Sequence, residues 1–261
     1  MAGTLSMSTE SKGPRVSIIT AVLNAEDRML RTLESLAALT FRDFEWIVID
    51  GGSQDETVNI VRRHGGAARV LVSEKDEGIY DAWNKGLNVC RGEWIGFLGA
   101  GDAYEPGGLT QYMEAVAERG RAGVAPLQYV SSRVRLISEG RTVRTIGREW
   151  RWATFRNWMC VAHVGWLHHR RLFEGGRRFN KAYRICGDYE FLLGCGPGLR
   201  AGFVPWVTAS MLTGGASDSM WRAARESEAA KVSTGARNPW IARYQRAYGL
   251  GKGYARRALW Y

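Results

Sequence analysis

Four polar side chains stand where apolar runs of strand character stop. Asn24 follows residues 15–22, Asp50 follows 44–49, Asp76 follows 69–72 and Asp102 follows 93–98. Ligands of open α/β sheets collect outside the carboxyl ends of the strands, so four such groups at corresponding ends describe a binding edge. The last of them closes Gly99-Ala100-Gly101-Asp102, where small residues leave both backbone and carboxylate open to a ligand. An ordinary strand and turn would also read this way, so the case rests on the four together. Neither G-x-x-x-x-G-K-[ST] nor a G-x-G-x-x-G opening the first helix is present, which disfavours phosphate-loop hydrolases and dinucleotide dehydrogenases.

The elements that must position these groups alternate in kind. Apolar residues at helical spacing (Met29, Leu30, Leu33, Leu36, Leu39) predict a helix over 26–39 after the first strand. Further helices are expected over 55–63, with Ser53 or Asp55 near its N-cap, and over 78–90. Strand–helix alternation predicts an α/β fold with a mainly parallel sheet, and right-handed crossovers bring the strand-end loops to one edge. Beyond it, the sequence predicts a helix over 107–119 stopped by Gly120, and a strand pair over 128–138 and 141–146 turning at Glu139-Gly140.

Composition bounds the class. With 261 residues, 45% hydrophobic and 24% charged, the chain can build a sizeable core, and no apolar run approaches a bilayer span. Residues 1–13 read as a polar, flexible tail. Cys90, Cys160, Cys186 and Cys195 lack metal-ligand spacing and read as reduced core residues of a cytoplasmic protein. The net charge of +10 is divided: −5 over residues 1–130, +8 over 131–220 and +7 over 221–261. A basic half suits an anionic acceptor, a membrane surface or nucleic acid. The acidic first half and the lack of a nucleic-acid module argue against nucleic acid.

Three blocks then carry a specific resemblance: residues 14–20, residues 48–55 (VIDGGSQD) and residues 73–86 (SEKDEGIYDAWNKG). They resemble the family 2 glycosyltransferases over about residues 14–216. The resemblance implies a GT-A (Rossmann-like) fold and inverting transfer of a sugar from a nucleotide diphosphate donor. It implies that Thr20, Val22, Asn24, Asp50 and Asp76 line the nucleoside pocket, and that Asn84 and Lys85 lie near the nucleotide or sugar. Ala100 and Gly101 would border the nucleotide sugar, and Asp102 would hold Mg²⁺ or Mn²⁺. Two departures remove negative charge: Gly101 stands where the family pattern has the first of two adjacent Asp, and Gly51 where many members have a second Asp. A single carboxylate can still ligate a cation whose other positions are filled by diphosphate and water.

The block 179–193 resembles the family's acceptor side, where a carboxylate at the head of a helix is the general base. Asp188 matches that position and Glu190 is the runner-up. A helix N-terminus keeps a carboxylate ionised, as a base requires at neutral pH. His163 matches a His found before this block and would bind metal, phosphate or acceptor, unless it is a core residue. His168-His169 beside Arg170-Arg171 reads as a surface turn, and residues 213–217 resemble a loop that covers the sugar.

These readings divide the chain into a tail (1–13), a GT-A domain (14–220, with a nucleotide half to 106 and an acceptor half beyond) and a basic, aromatic helical segment (221–261). The last suits peripheral contact with the inner face of a membrane. The expected activity is transfer of a hexose from a UDP- or GDP-sugar to a glycan or lipid-linked acceptor in polysaccharide or glycolipid assembly. The alternative is a non-catalytic nucleotide-sugar or glycan-binding protein.

Overall fold

The computed structural model describes residues 13–64, 66, 69–214 and 219–258, with side chains to Lys252. The expected tail to residue 12 and most of the 213–217 loop lie outside the described residues.

The first half follows the alternation read from the sequence: β1 (Val16–Val22), α1 (Glu26–Ala37), β2 (Phe44–Asp50), α2 (Thr57–His64), β3 (Arg69–Ser73), α3 (Ile79–Val89) and β4 (Trp94–Phe97). A two-residue β5 (Ala103–Tyr104) and α4 (Gly108–Arg121) follow. The second half holds β6 (Tyr129–Ser138), β7 (Arg141–Ile146), the short helix α5 (Trp152–Phe155), β8 (Trp166–His169), α6 (Gly187–Cys195) and β9 (Ala201–Leu212). The helices α7 (Met220–Ser233) and α8 (Pro239–Ala258) close the described chain.

Strands among the described residues form one nine-stranded sheet in the order β3-β2-β1-β4-β8-β6-β9-β5, with β7 hydrogen-bonded to β6. β3, β2, β1 and β4 are parallel, as expected. Past β4 the sheet is mixed: β6 and β9 pair in parallel, and the other contacts are antiparallel. β8 runs antiparallel to both β4 and β6, and β5 is antiparallel to β9. The β6–β7 hairpin turns where positive φ at Glu139 (48°) and Gly140 (75°) matches the twist of the strands.

Strand parity sets what each face buries. Val16, Ile18 and Val22 of β1 pack with Met29, Leu33 and Leu36 of α1. Ile19 packs on the opposite face with Tyr80, Trp83 and Leu87 of α3 and with the α6 residues Phe191 and Leu192. Each such side chain fully removed from water contributes about 1.5–3 kcal/mol. The expected surface turn at His168 is instead strand: His168 is fully buried among Phe97, Tyr129, Trp166 and Phe173. Burial pushes its imidazole down to about 3, so it is neutral there.

Candidate active site

The loops after β1 and β2 are built as one unit. Asn24 takes a left-handed φ of 46°, its Oδ1 accepts the Gln54 amide at 2.9 Å, and its own amide donates to Ser53 Oγ at 2.8 Å. The amides of Ala25 and Glu26 donate to Thr57 Oγ1 and Asp55 Oδ2, so residues of the second loop cap the N-terminus of α1. Asp55 also accepts the Thr57 amide at the start of α2, as the capping expectation had it. The signal for this clasp, a run of short polar side chains at 53–57, was read only as a cap of α2.

The other expected donor residues divide. Asp50 is fully buried and accepts from the amides of Gly52 and Ser53 and from Ser73 Oγ, the last at 2.7 Å. Its carboxylate thus shapes the loop rather than opening onto a ligand. Asp76 lies over Gly51: a Cβ on Gly51 would fall 2.5 Å from Asp76 Oδ2. The space of the missing second Asp is therefore held by a carboxylate from the next strand end.

Parity turns the side chains of Thr20 and Val22 into the core. Thr20 is fully buried and accepts from the Trp46 indole at 2.9 Å, and Val22 packs in the α1 layer. Asn84 and Lys85 are also committed elsewhere. Asn84 pairs with both backbone groups of Phe179, and Lys85 donates to the Lys75 carbonyl and meets Glu74 and Asp81. These contacts bolt α3 to its neighbours.

Asp102, only 7% exposed, is folded back over its own turn. Oδ2 accepts the Gly99 amide and Oδ1 the Leu212 amide of β9, each at 3.2 Å. Burial pushes its carboxyl up to about 7, against the pull of those amides and of the Arg31 and Arg28 charges. Ala100 packs against the α1 layer, and the Gly101 carbonyl accepts from Arg31. These donors do not fit the expected Mg²⁺ or Mn²⁺. Asp102 is a lone, buried carboxylate with one amide on each oxygen and two guanidinium charges beside it. His163 is packed between tryptophans. Its ring lies 5.9 Å from Trp83 and 6.0 Å from Trp166, and burial pushes it down to about 4.

Asp188 sits in the first turn of α6, also 7% exposed. Its Oδ1 accepts the Tyr189 amide at 2.7 Å and the Tyr80 hydroxyl of α3 at 3.2 Å. Oδ2 takes no hydrogen bond from another described residue. Burial pushes the carboxyl up to about 6, opposed by the Tyr189 amide and Tyr80 and reinforced by the Glu226 charge. Glu226 of α7 was not singled out in the sequence, yet its carboxylate accepts the amides of Arg184, Ile185 and Cys186 and fixes the approach to α6. Glu190 is half-buried, and burial raises its carboxyl against the Arg177 charge. Ser219, Trp221, Arg222, Arg225, Glu226 and Ala229 line a cleft of about 640 Å³ beside this turn.

A parallel α/β half is thus joined through an antiparallel strand to a half that carries a buried carboxylate at a helix head. Residues 17–174 match the sequence profile of Glycosyl transferase family 2, and the chain belongs to that family. A PGL/p-HBAD biosynthesis glycosyltransferase of Mycobacterium bovis is 31% identical over 209 residues, covering 76% of each chain. In structure, the chain is similar to Staphylococcus aureus TarS in complex with UDP-GlcNAc. The TM-score is 0.68 at 15% identity, with 92% of this chain and 73% of that one covered. It is also similar to a Pyrobaculum calidifontis mannosyltransferase in complex with GDP-Man and Mn²⁺. There the TM-score is 0.65 at 20% identity, with 94% and 76% covered.

Proposed function

We propose that this protein moves a sugar from a nucleotide diphosphate donor to an acceptor hydroxyl with inversion, using Asp188 as the general base. The observation that carries this reading is the state of Asp188: held by Oδ1, with Oδ2 left for an acceptor, and raised to about 6. A base near that value is ionised at neutral pH, yet takes a proton more readily than an ordinary carboxylate. The acceptor O–H proton passes to Asp188 as the acceptor oxygen attacks the anomeric carbon. The bond from that carbon to the diphosphate breaks with its electron pair leaving on the nucleotide. One in-line displacement inverts the centre. The donor occupies the clasped strand-end loops.

The acceptor side is basic, which supports a lipid-linked or otherwise anionic glycan acceptor. The relative named for PGL/p-HBAD biosynthesis is in keeping with glycolipid assembly. On α8, Trp240 (75% exposed), Tyr244 (69%) and Tyr248 stand out beside Arg243 and Lys252, which supports contact with an anionic membrane surface. No helix of the described residues is long and apolar enough to cross a membrane.

The test is Asp188→Asn, assayed by product formation and by nucleotide binding. Loss of transfer with binding intact supports the enzyme. Unchanged product formation would sink the base assignment. A wild-type protein that binds nucleotide sugars and turns over none would favour the binding-protein reading, which the loss of carboxylates at Gly101 and Gly51 keeps in view. Equal activity on an anionic lipid-linked acceptor and its neutral glycan would overturn the acceptor class.

A further inference from the structure

We propose that the positive charge facing the donor diphosphate at the end of β4 is supplied by Arg28 and Arg31 of α1, in place of a divalent cation. This rests on the donor reading above and adds that donor binding needs no metal.

The first ground is steric. Gly101 has φ of +90°, and a Cβ there would lie 2.8 Å from Leu212 Cδ1 and 3.1 Å from Arg28 Cβ. A side chain at that position would sit on a strained backbone and would have to displace Leu212 and crowd Arg28. At Gly99 a Cβ would fall 2.6 Å from Asp102 Oδ2, so an acidic side chain there would meet a like charge at contact. The remaining carboxylate, Asp102, serves as an acceptor for two backbone amides. A cation there would have to share both oxygens with those amides in a buried setting beside two guanidinium groups.

The second ground is what fills the space. Arg31 is fixed: its guanidinium donates to the Gly101 carbonyl and to Ser210 Oγ of β9, the latter at 2.7 Å. Arg28 runs along Gly101, with Cδ 3.4 Å from where a Cβ would sit. Its side chain is 46% exposed and, among the described residues, pairs with the open carboxylate of Asp27, its sequence neighbour, at 3.2 Å. Such a pair between adjacent exposed residues is worth little and yields readily to a better anion. A guanidinium presents a planar fork of donors that suits phosphate oxygens, and two at one strand end would repel a divalent cation from the same place. One arginine thus anchors the turn, and the other is available to the anion.

The test is calorimetric titration with UDP, GDP and the corresponding nucleosides, in EDTA and in Mn²⁺, on wild type, Arg28→Gln, Arg28→Lys and Arg31→Lys. Expected are diphosphate affinities in EDTA and Mn²⁺ that agree within about twofold. Arg28→Gln should weaken the preferred diphosphate by about tenfold or more while leaving its nucleoside unchanged, and Arg28→Lys should recover most of the loss. Arg31→Lys keeps the charge but loses the fork, and should weaken diphosphate binding by a few-fold. Diphosphate binding that appears only with Mn²⁺ overturns the proposal, as does an Arg28→Gln protein with wild-type diphosphate affinity. If neither nucleoside nor diphosphate binds under any condition, the donor reading itself fails and this inference falls with it.

Discussion

Asp102 and Asp188 have the same side chain, the same 7% exposure and the same direction of shift, yet they are built for opposite tasks. At the end of β4, each oxygen of Asp102 receives a backbone amide, so the carboxylate ties its own turn to β9. At the head of α6, both neighbouring donors converge on one oxygen of Asp188. Burial alone therefore says little about role. How the hydrogen bonds are shared between the two oxygens separates a brace from a carboxylate with one oxygen free to act as the proposed base.

The largest expected effect tests the base. Asp188→Asn should cut transfer by about 10²–10⁴-fold while the nucleotide dissociation constant stays within a factor of two. Loss of binding in parallel would erase the contrast. Asp102→Ala should act first on stability, because it orphans the Gly99 and Leu212 amides. About 1–3 kcal/mol per buried donor corresponds to several degrees in Tm. A variant with wild-type Tm and no activity would instead make Asp102 a reacting group.

The next prediction concerns pH. Both carboxyls titrate above the ordinary 3.8 in the folded protein, so the folded state holds these protons more tightly than the unfolded chain. Their protonated forms add stability that is fully present below about pH 4, and it is lost as pH rises through about 6 and then about 7. Thermal unfolding from pH 4 to 8 should show that decline, with a shallower slope in Asp102→Asn. Activity runs the other way: kcat/KM should fall as pH drops below about 6 and the base is protonated. The smallest effect belongs to Tyr80→Phe. Removing a hydroxyl that holds Asp188 down should move the acid limb of the activity profile upward by a fraction of a unit, with a rate change of only a few-fold.

The parallel half was legible because local patterns govern it: β-branched runs, helical spacing and polar strand ends all point the same way. Parity along β1 was legible too: the alternation of Thr20 and Val22 with Ile19 sends their side chains under α1. Asn84 and Lys85 show a different limit. Their helix was correct, but its partners at Phe179 and Lys75 are set by tertiary packing. Arg31 on Gly101 and Glu226 on the amides of 184–186 join positions roughly 70 and 40 residues apart, and nothing periodic announces them. The same holds for β8, whose antiparallel insertion converts a run with two histidines from turn to core strand.

The clasp between the first two strand-end loops has a consequence for the thermodynamics of donor capture. With Asn24 bonded to Gln54 and Ser53, Ala25 to Thr57, and Glu26 to Asp55 and Glu56, these loops have few conformations left to lose. Their ordering entropy is settled when the chain folds, not when the nucleoside arrives. Nucleoside association on this lip should therefore show a small heat-capacity change and little slowing from loop rearrangement, like a key entering a lock already cut.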